Sequence, residues 1–436
     1  MIEIEAPFET DSLGNLATVR RGITYSASML VDRNDGIPYI NMKSFEKGGG
    51  FNSAGLKYFG GYFVTDDMVR ENDLLVVNTD VTPGGDIVGT AAALPQDLRN
   101  GPVVFSHHVT RLRLDERVST DYLYYLLNIN NYRKLMLKYA RGTTVLMLDM
   151  SGIKKIPIRY HRNAKVQQKV VSILQIIDQT IEKTEALIEK YQQIKAGLMH
   201  DLFTRGIGPD GKLRPPHEQA PELYQKTPIG WIPKEWQLDV LDNQIRIIDC
   251  KHITPSYCEE GYPIIRPRNI HDDGLDFENV DYVSHKDYLS LTDIHAPRLG
   301  DIVYSRNASF GIPCYVDTDI KFSIGQDVVV MTEKAMDTRF AYYLLKSSIV
   351  WQQILRLFAG STFSRINLGD IRKYVVPNPT KEEQGAISER LQTIDNRIDK
   401  EVSNRKKLQR LKAGLMHDIL TGKVQVNIEH PEVANV

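Results

Sequence analysis

The heptapeptide KAGLMHD occurs twice in this chain, at residues 195–201 and again at 412–418. Each copy closes a long stretch of helical pattern and is followed three residues later by a threonine, Thr204 or Thr421. A block repeated 217 positions apart means an internal duplication, and the fold must be built from two copies of one unit. Tyr124-Tyr125-Leu126-Leu127 matches Tyr342-Tyr343-Leu344-Leu345, Gly142-Thr143-Thr144 matches Gly360-Ser361-Thr362, and Ile153-Lys154-Lys155 matches Ile371-Arg372-Lys373. Gln167 pairs with Gln384 and Ile177-Asp178 with Ile394-Asp395, while FETDSL (residues 8–13) is echoed by WQLDVL (236–241).

Within each copy the hydrophobic pattern changes in the same order. Residues 1–120 read as short strands and turns, with DLLVVN (73–78) and PVVF (102–105) as buried strands between glycine-rich turns. Gly84-Gly85 lacks the flanking residues of a phosphate cradle and reads as a loop. Residues 121–140 turn helical, and 163–201 form a long helix without proline. Its apolar positions Val170, Ile173, Ile177, Thr180, Thr184, Leu187, Tyr191, Ile194 and Leu198 step by three and four, a heptad seam that expects a helical partner. At 1.5 Å per residue this helix would be about 58 Å long. Residues 206–233, rich in proline and glycine, read as an extended connector. The unit then restarts: EGYPIIRPRNI echoes DGIPYINMKSF (35–45), and DIVYSRN (301–307) parallels DLLVVN. A second long helix is expected over 381–421, with Ile387, Leu391, Ile394, Ile398, Val402, Leu408, Leu411 and Leu415 on its apolar side. The simplest way to bury two seams is to pack the helices on each other, antiparallel, about a pseudo-two-fold axis.

Bulk properties exclude more than they identify. At 436 residues, two to four domains are expected. No apolar run approaches a membrane span, the acidic first residues lack the layout of a signal peptide, and three cysteines suit a reducing compartment; a cytoplasmic location is expected. Cys250, His252 and Cys258 are too few and too irregularly spaced for structural zinc, so no metal is expected. A net charge of −1 hides an uneven distribution. Residues 131–170 carry ten Lys/Arg and one acid, Asp149, which is enough for a basic face.

The order globular, helix, globular, helix resembles the specificity subunit of Type I restriction–modification systems. The carrying motifs are the Gly-Ser/Thr-Thr loop, IRKYVVPNP (371–379), the EEQ at 382–384, TPIGWIPKEW (227–236) and the duplicated LKAGLMHD ending. The first copy departs from this pattern: KIPIRYHRNAKVQQ (155–168) has neither the second proline nor the EEQ. The resemblance implies an α+β chain with two α/β target-recognition domains (1–158 and 236–378), two long antiparallel helices forming a coiled coil (159–205 and 379–436, the latter with a tail) and a connector (206–235). It implies that each domain reads half of a split, asymmetric double-stranded DNA target, that the helices set the spacer, and that two methyltransferase subunits dock on them. Those subunits would bring S-adenosylmethionine; restriction subunits can join, and this chain would hold no cofactor and catalyse nothing. The alternative is a stand-alone DNA-binding regulator. A methyltransferase is disfavoured because the nearest approach to its Asp/Asn-Pro-Pro-aromatic tetrad is Arg214-Pro215-Pro216-His217, and no nuclease carboxylate cluster follows Pro209-Asp210.

Base readout requires Arg/Lys or Asn/Gln on loops. In the first domain the candidates are Asn41, Lys43, Asn78, Thr79, His107, His108 and Arg141; in the second, Arg266, Arg268, Asn269, Arg306, Asn307, Gln326 and Arg365. Thr143, Thr144, Ser361 and Thr362 suit phosphates, because the adjacent glycine lets backbone approach closely. Lys195, Gly197, His200, Lys412, Gly414 and His417 are the candidates for subunit docking.

Overall fold

The computed structural model describes residues 7–82, 84–307, 311–358 and 365–427. It divides into two compact units, one of residues 1–185 with 403–436 and one of residues 186–402. The division cuts both long helices, Ala164–Thr204 and Lys381–Leu420, so each unit owns one globular region and a part of each helix.

In the first unit, Phe8–Ser12 pairs antiparallel with Pro157–His161 and closes the module on itself. An antiparallel sheet follows the order Ala17–Arg21, Val109–Leu114, Asp73–Val77, Ala91–Ala93. A second sheet runs Leu30–Val31, Lys57–Phe59, Ile37–Ile40, Val104–Phe105, with its last pair parallel. The strand Asp73–Val77 is buried along its whole length, which is why its sequence is a continuous apolar run rather than an alternation. Asp73 is tolerated there because Arg113 donates to both of its oxygens at 2.8 Å. Ser119 caps the helix Thr120–Asn128, accepting the Tyr122 N–H. The single helix expected over 121–140 is two, because Ile129 adopts an extended conformation between Thr120–Asn128 and Asn130–Tyr139.

The second unit repeats this plan. Gln237–Val240 pairs with Val375–Asn378. One sheet is ordered Ile245–Asp249, Val328–Glu333, Ile302–Ser305, Pro313–Tyr315, and another Tyr257–Cys258, Asp281–Val283, Tyr262–Ile265, Ser323–Ile324, again ending on a parallel pair. Asp337 caps Thr338–Leu345 as Ser119 does its counterpart.

The cores exchange helix ends. In the first unit Val166, Val170 and Leu174 from the first long helix pack with Met416, Ile419 and Leu420 from the second. In the second unit Leu202 and Phe203 from the first helix pack with Ile387 and Leu391 from the second. At roughly 1.5–3 kcal/mol for each large apolar side chain buried, these contacts fix each helix end to its module. Inside each unit the two helix segments run antiparallel. Asp178 and Glu185 meet Lys412 and Arg405 in the first unit, and Lys195 meets Asp395 in the second.

Two expectations need correction. The heptad seams are interrupted: Ile194 is 42 % and Leu411 52 % exposed, and Thr180 is exposed, while Val170 and Thr184 are buried. A helix that contacts a module at one end and a second helix further along turns different faces inward. Thr184 stays buried because its hydroxyl donates to the Thr180 carbonyl one turn back. The connector is also not simply extended. It makes a hairpin, Tyr224–Thr227 with Gly230–Pro233, and buries Arg214 against Glu383 at 2.6 Å. Glu383 further accepts from Ile207 N–H and Trp236 Nε1, which gives one member of the EEQ motif a structural task.

Candidate DNA interface

Each module carries two identical anchors to the long helices. Gln167, buried, accepts the Ser119 N–H and donates to the Arg117 and His161 carbonyls. Gln384 accepts the Asp337 N–H and donates to the Pro379 carbonyl. Each glutamine satisfies backbone groups at a helix start and at a strand end, partly shielded from water.

The second anchor is a Tyr–Asp–Lys triad. Tyr125 Oη donates to Asp178 Oδ2 at 2.7 Å, and Lys412 Nζ lies 2.5 Å from Asp178 Oδ1. In the other unit Tyr343 Oη donates to Asp395 Oδ2 at 2.9 Å, and Lys195 Nζ lies 2.6 Å from Asp395 Oδ1. Burial and the bonded carboxylate push both tyrosine hydroxyls well above their ordinary pKa. The lysine of each KAGLMHD block is therefore engaged by the opposite long helix. Gly197, His200, Gly414 and His417 are exposed instead. A Cβ on either glycine would meet no atom within 4 Å. Beside the blocks lie open clefts, about 740 Å³ bounded by Lys195, His200, Tyr342 and Asp399, and about 910 Å³ bounded by Tyr124, Glu182, Lys412 and His417.

The readout candidates separate into braces and open side chains. Asn41 and Asn269 are buried at short 3-10 turns: Asn41 caps its turn, accepting the Lys43 N–H and donating to Gly55 O, and Asn269, the last residue of its turn, accepts the N–H of the capping residue Arg266 and donates to Asn279 O. Asn78 donates to His107 O and Thr110 Oγ1, and Thr79 donates to Asn78 Oδ1; both are buried. Arg306, expected as a base-reading side chain, is 4 % exposed, pairs with Asp249 at 2.7 Å and donates to Ile366 O. These five serve the interior, because the strands that carry them end inside the module and their polar groups need partners there.

Lys43, Arg141, Thr143 and Thr144 are exposed. Arg266 and Arg268 are open at 42 % and 55 % of their side chains, and both pair with Asp281. The His107 and His108 rings lie 3.8 Å apart between centroids, tilted by 41°, their Nδ1 atoms buried without a partner among the described residues; burial lowers both pKa values, which favours neutral rings at pH 7. Asn307 and Arg365 both bond Asp327, and Gln326 reaches Thr254. Ser361 and Thr362 lie outside the described residues. Among the described residues no group of three or more His, Cys, Asp or Glu could hold a metal ion, and no helix is long and apolar enough to cross a membrane.

Sequence reasoning missed Asp80, which is buried and accepts from Thr82 N and Oγ1, Ile87 N and Val88 N. Burial opposes its charge, but these donors outweigh it and hold its pKa below the ordinary value. It fixes the loop that follows Asn78-Thr79. A carboxylate at a strand end beside a Thr-Pro-Gly-Gly turn was the available signal. Asp327, the sole non-glycine with positive φ among the described residues (64°), was also missed.

Comparison with known proteins agrees with this architecture. The profile described as the Type I restriction modification DNA specificity domain matches residues 5–193 and 253–411. The specificity subunit of the Type I restriction enzyme MjaVIII from Methanocaldococcus jannaschii is 25 % identical over 82 % of this chain and 80 % of its own length. That of EcoBI from Escherichia coli is 21 % identical over 90 % and 81 %. The crystal structure of a Type I restriction–modification S subunit from M. genitalium shares the fold, with a TM-score of 0.56 at 15 % identity over 95 % of this chain and 96 % of that one.

Proposed function

This chain belongs to the Type I restriction–modification DNA specificity family, and on that premise we propose that its two modules read the two halves of an asymmetric, interrupted DNA target. The carrying observation is that the two modules share their scaffold down to the buried glutamine and the Tyr–Asp–Lys triad, yet differ in the side chains they present at matching positions. The open Arg268 stands in the second module where the first has the open Lys43, the open Arg266 where the first has the buried Asn41, and Gln326-Asp327 where the first has His107-His108. Two identical readers would suit a palindrome; these suit two different half-sites. The long helices set the length of the unread spacer.

The exposed glycines favour docking of two modification subunits on the KAGLMHD faces. Glycine inside a helix costs about 1 kcal/mol relative to alanine, and among the described residues nothing occupies the space a methyl group would take. A partner backbone approaching closely accounts for both positions. The methyl donor, S-adenosylmethionine, would be held by that partner, this chain supplying recognition without catalysis.

The adenine methylome of a methylation-free bacterial host expressing this chain with its modification subunit tests the reading. A two-part, asymmetric motif with one fixed spacer is expected. A continuous motif, or sequence-specific DNA binding that proceeds unchanged without any modification subunit, would overturn it, the latter favouring a stand-alone regulator.

A further inference from the structure

One backbone station is common to both modules and differs in chemistry. In the first, Thr79 pairs with Met147, and the Leu148 N–H donates to Asn78 O at 2.7 Å. In the second, Asn307 pairs with Arg365, and the Ile366 N–H donates to Arg306 O at 2.8 Å. The adjoining crossing matches as well: Asn78 N–H donates to His108 O, and Arg306 N–H to Asp327 O. Met147 and Arg365 therefore occupy corresponding positions, each just before a buried aliphatic residue.

Met147 is not held by the core. It is 38 % exposed, and Val145 and Val81 on neighbouring turns are 44 % and 61 % exposed. Arg141 is its cross-strand partner, and the Gly142–Thr143–Thr144 turn, with Gly142 at φ 116°, joins the two strands. Apolar side chains left in water beside a cation and two hydroxyls match one edge of a base pair: the thymine methyl, next to backbone phosphates. Arg365 at the same station has the opposite chemistry. Its side chain is 45 % exposed and lies 2.8 Å from Asp327 Oδ1, whose other oxygen accepts from Asn307 Nδ2. A carboxylate bracing one edge of a guanidinium orients the remaining donors, and the guanidinium fork fits the O6 and N7 acceptors of guanine.

We propose that this station determines specificity in both modules: Met147, with Val81 and Val145, reads a thymine methyl in one half-site, and Arg365, positioned by Asp327, reads a guanine in the other. This rests on the two-reader function above.

The test compares methylation motifs and DNA affinities of the complete complex carrying Met147→Arg, Met147→Gln or Arg365→Met. The Met147 variants should alter preference at one A·T position of one half-site, and Arg365→Met should lose a G·C position in the other. Discrimination should fall about 5- to 150-fold at the affected position, the value of one good base contact. The untouched half-site reports that the variant complex is folded, and the milder Met147→Gln stands in should Met147→Arg not assemble. Retention of every base preference within twofold, an equal loss of affinity for all sequences, or all variants altering the same half-site would overturn the proposal while a bipartite wild-type motif leaves the two-reader function intact. A wild-type motif that is not bipartite would overturn that function instead.

Discussion

Lys412 Nζ lies 2.5 Å from Asp178 Oδ1, so the lysine of the second KAGLMHD block is paired with the long helix of the first repeat. Tyr125 holds the second oxygen of the same carboxylate, and one aspartate thereby ties a recognition module to both long helices. Lys412→Ala should destabilise the first unit by about 1–2 kcal/mol, as expected for a charge-assisted bond with partial solvent access. A double-mutant cycle with Tyr125→Phe, read by denaturant unfolding, should give a non-zero coupling energy; strict additivity would mean the triad is not a unit.

Gly197→Ala and Gly414→Ala separate folding from assembly. In the isolated chain each should raise stability by up to about 1 kcal/mol, because a methyl group there meets nothing. Binding of the modification subunit, measured by calorimetry, should weaken.

Replacing Gln167 or Gln384 by leucine should cost about 1–2 kcal/mol, since each leaves a partly buried N–H and at least one backbone carbonyl without its partner. Thermal unfolding of the corresponding unit measures this.

Arg306→Ala and Arg268→Ala should behave differently although both lie in stretches expected to read bases. Arg306 is an interior brace between Asp249 and Ile366, and its loss should destabilise the second unit by about 2–3 kcal/mol. Arg268, more than half exposed, should leave the melting temperature nearly unchanged and alter binding to one half-site only.

The His107–His108 pair predicts a pH dependence. Burial depresses both pKa values in the folded chain, so below the ordinary histidine value of 6.5 the unfolded chain binds protons the folded one refuses. Their contribution to stability is thus full above about pH 7 and falls as pH drops through 6.5. Melting temperatures of the wild type should drop more steeply between about pH 7 and 5 than those of a His107→Gln/His108→Gln variant.

The duplication was readable in residue order alone. Gln167 and Gln384, Asp178 and Asp395, and the paired tyrosines match in sequence position, because a repeated unit repeats the polar residues that anchor it: the glutamines to backbone and the aspartates to tyrosine and lysine. Both long helices fell within a few residues of the observed Ala164–Thr204 and Lys381–Leu420, since sustained apolar spacing without proline leaves few alternatives. Helix 121–140 was misread as one because no proline or glycine marks the break at Ile129.

The recognition surface was not legible in this way. Residue type alone cannot distinguish Arg306, sunk between Asp249 and Ile366, from Arg268, open beside Asp281, because burial is set by strands distant in sequence. Nor can it show that Met147 is exposed while Leu148 is buried; that follows from which face of a short ladder meets the core. Sequence by itself determined that there are two copies of one plan and where their helices lie, as consequences of local periodicity and repetition, while its motifs carried the resemblance to the family. Tertiary structure alone decided which polar side chains remain open to a partner, because every buried donor and acceptor must first be satisfied, and the chain assigns that task by geometry rather than by residue name.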